Sequence, residues 1–255
     1  APHGTTVLDN KMLSDFDLNK YHNFEDKNNY KKIDYFLGTS KRDLKDAINN
    51  GLNKSKGYVI GSPRYCKEWL KIKSKFNLDG KKVLVNKHYK IKILFIMPKR
   101  HDNIFWDEII RTIDFLTSYK EIELIMVNYH PFYPKFPKNI INRDNLRYYL
   151  IFKEYSTSNL IEWSDIIFHV GSSVQFEFFI KDKISVFPRY LMSNTLVSDK
   201  YYNAGLNLSN RDELRSFCNN AISSLDKLKK NYKKDYGISN KKFIKDYVNS
   251  NSNSV

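Results

Sequence analysis

From residue 91 onward the hydrophobic positions alternate between two spacings. Ile91 to Met97 is apolar except at Lys92 and is stopped by Pro98, the pattern of a buried-type strand. Trp106, Ile109, Ile110, Ile113 and Leu116 then recur three and four apart, which predicts a helix with one buried face. Glu123 to Asn128 predicts a second strand, ending at His130-Pro131, and Tyr148 to Phe152 a third. A helical turn at Leu160 to Ser164 leads into a strand at Asp165 to Val170, a helix at Ser173 to Ile180 and a strand at Ile184 to Phe187. A long helix is expected from Arg211 to about Lys230, burying Leu214, Phe217, Ala221, Leu225 and Leu228. Strands alternating with helices predict an α/β fold built on a doubly wound, Rossmann-like parallel sheet.

The first 90 residues are patterned less regularly. A polar start precedes a short apolar run at Asp34 to Ser40, a helix at Lys41 to Asn50 with Leu44, Ala47 and Ile48 on one face, and a short strand at Gly57 to Arg64 that runs into a turn. The tract from Lys71 to Lys92 is strongly basic, contains the turn signal Asp79-Gly80, and reads as a linker. The expected organisation is therefore an incomplete N-terminal α/β domain with linker over 1–88, a nucleotide-binding domain over 89–235, and a C-terminal helix with a frayed Ser/Asn-rich tail over 236–255. The first residue is not Met and the chain starts on Pro2-His3-Gly4, which reads as the start of a fragment.

Composition narrows the classes. With 41% hydrophobic residues, 17 Phe and 18 Tyr, the chain can build a core, so disorder along its length is excluded. No apolar run reaches the roughly 18–20 residues that span a bilayer. Two cysteines, Cys66 and Cys218, form neither a disulfide framework nor a zinc site, and they fit a reducing, cytoplasmic compartment. His22, His88, His101 and His169 show no metal-ligand spacing, so no metal is expected. The 43 Lys and Arg exceed the 28 Asp and Glu, giving a net charge of +15 that favours anionic partners. Part of that excess is the Lys, Asn, Ile and Tyr bias that an AT-rich genome produces without selection for function. A basic nucleic-acid-binding module is the alternative that the charge and the many aromatic residues raise, but no recognised nucleic-acid motif occurs and the aromatic residues mostly sit at core spacing, so nucleic acid is not the expected partner. Peripheral contact with anionic lipid at the inner membrane face is the other expectation from charge.

Three polar corners fall at predicted strand ends, where ligands of such sheets bind: Pro98-Lys99-Arg100, Tyr129-His130-Pro131 and Gly171-Ser172-Ser173. Gly171 permits a tight turn, and the hydroxyls of Ser172 and Ser173 with the first N–H groups of the helix form an anion site. Ser172 followed by Gln175 equally matches a capping box, and the two readings are compatible. Glu177, four residues after Ser173, lies on the same helix face and can reach the ribose of a nucleotide, or can simply complement the helix dipole. Pro131 holds His130 extended, presenting the imidazole to a phosphate oxygen or a departing nucleotide; a satisfied loop histidine is the plainer alternative. His3, before Gly4, is a candidate general base, and Lys99, Arg100 and Arg64 are candidate phosphate or acceptor contacts. Trp163, Phe176, Phe178 and Phe179 read as core. Walker, GxGxxG, GxSxG and HExxH motifs are absent.

Tyr129-His130-Pro131, the segment Leu160-Ile161-Glu162-Trp163-Ser164-Asp165-Ile166-Ile167, and Gly171-Ser172-Ser173-Val174-Gln175-Phe176-Glu177 together resemble the nucleotide-binding half of GT-B glycosyltransferases that use cytidine-nucleotide donors. The HP and Ser-Ser motifs resemble those of bacterial sialyltransferases and capsule-type Kdo transferases. The order HG, HP, SSVxFE is similar to that in CDP-glycerol glycerophosphotransferases of teichoic acid synthesis, and Pro188-Arg189-Tyr190-Leu191 fits surface-polysaccharide enzymes of this group. The resemblance covers about residues 91–205, and the first 90 only through Pro2-His3-Gly4 and Gly61-Ser62-Pro63-Arg64. It implies a GT-B-like fold, no cofactor, and a CMP- or CDP-linked donor as substrate. The acceptor would be a surface polysaccharide or lipid-linked glycan. By the same resemblance Ser172 and Ser173 would hold the donor phosphate, Glu177 the ribose, His130 would contact the phosphate and assist departure and His3 would be the base; Gly171 and Lys99 join the donor-binding residues from their corners alone. The carboxylate that sialyltransferases carry in the N-terminal domain has no identifiable counterpart. Nucleotide-sugar 2-epimerases share the architecture and are the alternative within the fold, since fold does not fix reaction.

Overall fold

The computed structural model describes residues 30, 33–75, 83, 88–98, 104–128, 136–150, 155–170, 172, 174–192 and 204–248. Two strands near the start, β1 (Phe36–Gly38) and β2 (Gly57–Val59), pair in parallel across the connecting helix α1 (Lys41–Asn49). Ser40 caps α1 by accepting the Asp43 N–H at 3.1 Å. A second helix, α2 (Lys67–Lys75), occupies the beginning of the basic tract that the sequence suggested was a linker. Its lysines are spaced through a helical stretch without Gly or Pro to stop it.

The main sheet contains β3 (Ile91–Ile96), β4 (Ile122–Asn128), β5 (Leu146–Leu150), β6 (Ile166–His169), β7 (Ile184–Pro188) and β8 (Leu206–Leu208). Its order is β5-β4-β3-β6-β7-β8, with every neighbouring pair parallel. This is the doubly wound arrangement, in which winding starts at β3, runs outward to β5, then returns to β6 and runs outward the other way. The reversal lies between β3 and β6. Helices α3 (Trp106–Thr117), α4 (Lys138–Ile141), α5 (Thr157–Trp163), α6 (Gln175–Ile180), α7 (Arg211–Ser223) and α8 (Leu225–Val248) complete the fold.

The apolar character of β3, interrupted at the half-buried Lys92, follows from burial on both faces. Ile93 and Phe95 pack with Ile109, Ile113, Phe168 and Phe217 on one side. Leu94 and Ile96 pack with Ile125, Val127, Leu160 and Phe178 on the other. Trp163, Phe176, Phe178 and Phe179 are all buried, as core spacing requires.

Four elements differ from the sequence reading. The expected single helix from Arg211 is broken at Ser224, whose backbone is extended (φ −161°, ψ 98°). Its N–H donates to Asn220 O at 3.1 Å, while its hydroxyl accepts the Lys227 N–H at 3.3 Å, so one serine ends α7 and starts α8. Helix α8 then continues to Val248. Its second half is core: Phe243 stacks on Phe176 at 5.2 Å between ring centroids and meets Phe179 edge-on at 5.7 Å. Helix α8 also lies against α1, joining the end of the chain to its first unit. Strand β8 and helix α4 are too short and too polar to have been read from periodicity. The path into β8 depends on Gly205, because a Cβ there would sit 3.0 Å from Ser185 O and 3.2 Å from its Oγ.

Candidate nucleotide-binding crevice

Register fixes where the strands deliver their ends. Ile96, the last residue of β3, is level with Val127 of β4 and with His169 of β6. The segments after β4, β3 and β6 therefore emerge side by side at one edge of the sheet. These are the segments carrying Tyr129-His130-Pro131, Pro98-Lys99-Arg100 and Gly171-Ser172-Ser173. In doubly wound sheets ligands bind outside the carboxyl ends of the strands at such a reversal, which makes this edge the candidate crevice.

A tie frames the crevice from the side of β7. Ile104, beyond β3, forms an antiparallel bridge with Met192, beyond β7, and Phe105 N–H donates to Leu191 O at 2.9 Å. Because β6 lies between β3 and β7, the tie links the segments that flank the end of β6. Tyr190 reinforces it through a 2.9 Å hydroxyl contact with Thr112 of α3, and burial pushes the Tyr190 phenol up to about 12. At the surface of the same region, Glu108 of α3 pairs with Arg211 of α7 and with Arg111. Its carboxyl is held below the usual range, chiefly by the hydrogen bond from Arg211.

Of the expected site residues, Ser172, Glu177 and the candidate contact Arg64 fall within the described residues; His3, Lys99, Arg100, His130, Gly171 and Ser173 lie outside them. The capping box expected between Ser172 and Gln175 is not formed. Helix α6 starts at Gln175 rather than Ser173, and its cap residue is Val174, in helical conformation (φ −69°, ψ −12°). The Ser172 hydroxyl instead accepts the Val174 N–H at 3.4 Å, a bond that uses a lone pair and not the hydroxyl proton. Gln175, the expected reciprocal partner, is buried, and its N–H donates to Ser172 O at 3.0 Å.

Glu177 is 1% exposed and so is not a surface residue complementing the helix dipole. Its Oε1 lies 3.7 Å from Lys181 Nζ one turn later, and Lys181 also reaches Glu162 at 3.6 Å. Next to it sits Tyr65, from the turn after β2. Tyr65 is buried with its ring 5.4 Å from that of Phe176. Its phenol is shifted upward by burial, opposed by the charge of Arg64 and helped by that of Glu177.

His169 was not expected to have a role, and its place is structural. The ring is fully buried between Phe178 and Phe187, with Nε2 2.7 Å from Ser185 Oγ. Burial pushes its pKa down to about 3, so it is neutral at ordinary pH. The contact pins β6 to β7 immediately before the Gly171 corner. The sequence signal was a polar residue inside an apolar strand, which marks a buried polar contact only once its partner is known.

Among the described residues no group of three or more His, Cys, Asp or Glu is placed to hold a metal ion. A hollow of about 420 Å³ lies at the opposite, amino edge of the sheet, lined by Tyr89, Lys120, Arg143 and Asn145. Its polar groups serve the fold. Asn145 Nδ2 donates to the carbonyls of Thr117, Tyr119 and Ile122, and Arg143 binds Asp114 and Thr117.

No protein-family model matches the sequence, and no curated protein matches it. Solved structures do. The wall teichoic acid polymerase TagF superposes with a TM-score of 0.53 at 13% identity, covering 98% of this chain and 63% of that one. A UDP-GlcNAc 2-epimerase from Neisseria meningitidis, bound to UDP-GlcNAc, gives 0.53 at 14% identity, covering 83% and 60%. A UDP-N-acetylglucosamine 2-epimerase from Listeria monocytogenes gives 0.51 at 13%, covering 86% and 56%. The fold is thus GT-B-like, as expected from sequence. The chain spans between 56% and 63% of the length of these three structures.

Proposed function

We propose that the chain is the nucleotide-binding part of a glycosyltransferase of surface-polysaccharide synthesis. It would move a sugar, or glycerol phosphate, from a cytidine-nucleotide donor to a glycan or lipid-linked acceptor. The observation that carries this reading is that the carboxyl ends of β4, β3 and β6, which the three polar corners follow in sequence, are adjacent at the reversal of the sheet. Similarity to a teichoic acid polymerase, solved also after soaking with CDPG, supports the donor class.

In this reading Ser172 and Ser173, with the Gly171 turn and Lys99, bind the donor phosphate, and Glu177 holds the ribose. His130 donates to the phosphate and stabilises the departing nucleotide, and His3 removes the proton from the acceptor hydroxyl. The chemistry needs no cofactor, because the activated donor supplies the leaving group. The positive charge of the chain suits peripheral docking on an anionic membrane carrying a lipid-linked acceptor.

A charge-assisted hydrogen bond from a serine hydroxyl contributes about 1.5–3 kcal/mol. Substituting Ser172→Ala should therefore weaken CMP or CDP binding by about 10- to 150-fold in calorimetric titration. Unchanged affinity in Ser172→Ala/Ser173→Ala would remove the phosphate assignment. Similarity to the two epimerases favours a second reading, in which a UDP-sugar is converted without an acceptor. Incubation with UDP-GlcNAc alone, followed by product analysis, separates the two.

A further inference from the structure

We propose that Arg64 binds a phosphoryl group from the N-terminal side of the crevice, opposite Ser172; this rests on the nucleotide-binding reading above. Strand β2 belongs to its own parallel pair, and the segment leaving its carboxyl end is Ile60-Gly61-Ser62-Pro63-Arg64. Gly61 takes a left-handed conformation (φ 79°), and a turn follows in which Tyr65 N–H donates to Ser62 O at 3.0 Å.

That turn has one buried side chain and one exposed cation. Tyr65 inserts against Phe176, at 5.4 Å between ring centroids, in the first turn of α6. Helix α6 is the element that follows the carboxyl end of β6. The ends of two parallel units, each the edge at which such sheets present ligand contacts, are thus held together through one aromatic pair. Arg64 follows the turn outward and is exposed. Its guanidinium carbon lies over the Tyr65 ring, 5.6 Å from the centroid. Tyr65 also feels the charges of both Arg64 and Glu177, so both lie within electrostatic reach of its phenol.

Other arginines are used by the fold. Arg42, Arg111, Arg143, Arg147, Arg211 and Arg215 each pair with a carboxylate. Among the described residues no carboxylate pairs with Arg64. A planar, permanently charged fork beside a crevice, with a rigid aromatic support and no acidic partner there, is suited to phosphate oxygens. The phosphoryl group has two sources: the second phosphate of a nucleoside diphosphate donor, or a phosphate monoester on the acceptor.

Titrations of wild type, Arg64→Gln and Ser172→Ala with CDP, CMP and glycerol 3-phosphate test this, with thermal melts confirming that the exposed substitution leaves the fold intact. If the donor supplies the group, Arg64→Gln weakens CDP about tenfold or more and leaves CMP unchanged. If the acceptor supplies it, glycerol 3-phosphate binding falls by a similar factor while both nucleotides are unaffected. Arg64→Lys should recover part of either loss. Equal affinities in wild type and Arg64→Gln for all three probes would overturn the assignment. Should Ser172→Ala still lose CDP in that case, the nucleotide-binding reading survives. Absence of nucleotide binding by wild type removes both.

Discussion

Arg147→Met should lower the unfolding free energy by about 3 kcal/mol, measured by urea denaturation at neutral pH. Arg147 of β5 pairs with Glu123 of β4, whose side chain is 4% exposed. The guanidinium also lies over Trp163, 5.3 Å from its ring centroid. Burial already pushes the Glu123 carboxyl up, with Arg147 and then Lys92 pulling it back. Removing Arg147 leaves a buried carboxylate without that compensation, so it must either be desolvated alone or take up a proton. The low end of the range for broken buried pairs applies because 22% of the Arg147 side chain still meets solvent. Glu123→Gln in the Arg147→Met background should restore part of the loss, since the amide removes the charge. Equal stability of Arg147→Met and wild type would show that the pair contributes nothing to holding β5 at the edge of the sheet.

Acid should destabilise the protein through His169. In the unfolded chain this histidine binds a proton near pH 6.5, whereas the folded site resists protonation until about pH 3. Between those values the unfolded state carries more protons, so stability is fully present above about pH 6.5 and falls as the pH drops. The slope approaches about 1.4 kcal/mol per pH unit, or about 2.5 kcal/mol by pH 4.5. The cause is burial between Phe178 and Phe187, with one ring nitrogen engaged by Ser185. His169→Gln should lose stability at neutral pH but show a shallower decline from pH 6.5 to 4.5. Parallel declines in the two proteins would remove His169 as the acid-sensitive group.

The sheet was legible because its central strands are short, mostly apolar runs. Ile91 to Ile96, interrupted at Lys92, and Ile166 to His169 alternate with helical segments, as in a two-sided parallel sheet, and the 3.6-residue spacing of Trp106 to Leu116 supplies the covering helix. Strand β8, with the sequence Leu-Asn-Leu, carries no such signal; it is a strand because Gly205 lets it approach Ser185. The break at Ser224 was hidden because Leu214, Phe217, Ala221, Leu225 and Leu228 keep helical spacing across it, while the hydroxyl that caps the second helix is one serine among many. In the candidate site, Ser172 was found from its turn, but its bonding partner was not. Spacing predicts a capping box, whereas the helix begins two residues later than the pattern suggests. Arg64 was a candidate from sequence together with Lys99 and Arg100, but the docking of its neighbour Tyr65 on Phe176 could not be read there.

Nucleotide binding at the reversal of the sheet is most directly tested by thermal unfolding in the presence of CMP, CDP, UDP and GDP. A ligand at 100 times its dissociation constant stabilises the folded state by about 2.7 kcal/mol, enough to raise the melting temperature by several degrees. A cytidine nucleotide should produce the largest rise, and Ser172→Ala/Ser173→Ala should abolish it. If none of the four nucleotides raises the melting temperature of the wild-type protein at millimolar concentration, the crevice is not a nucleotide site.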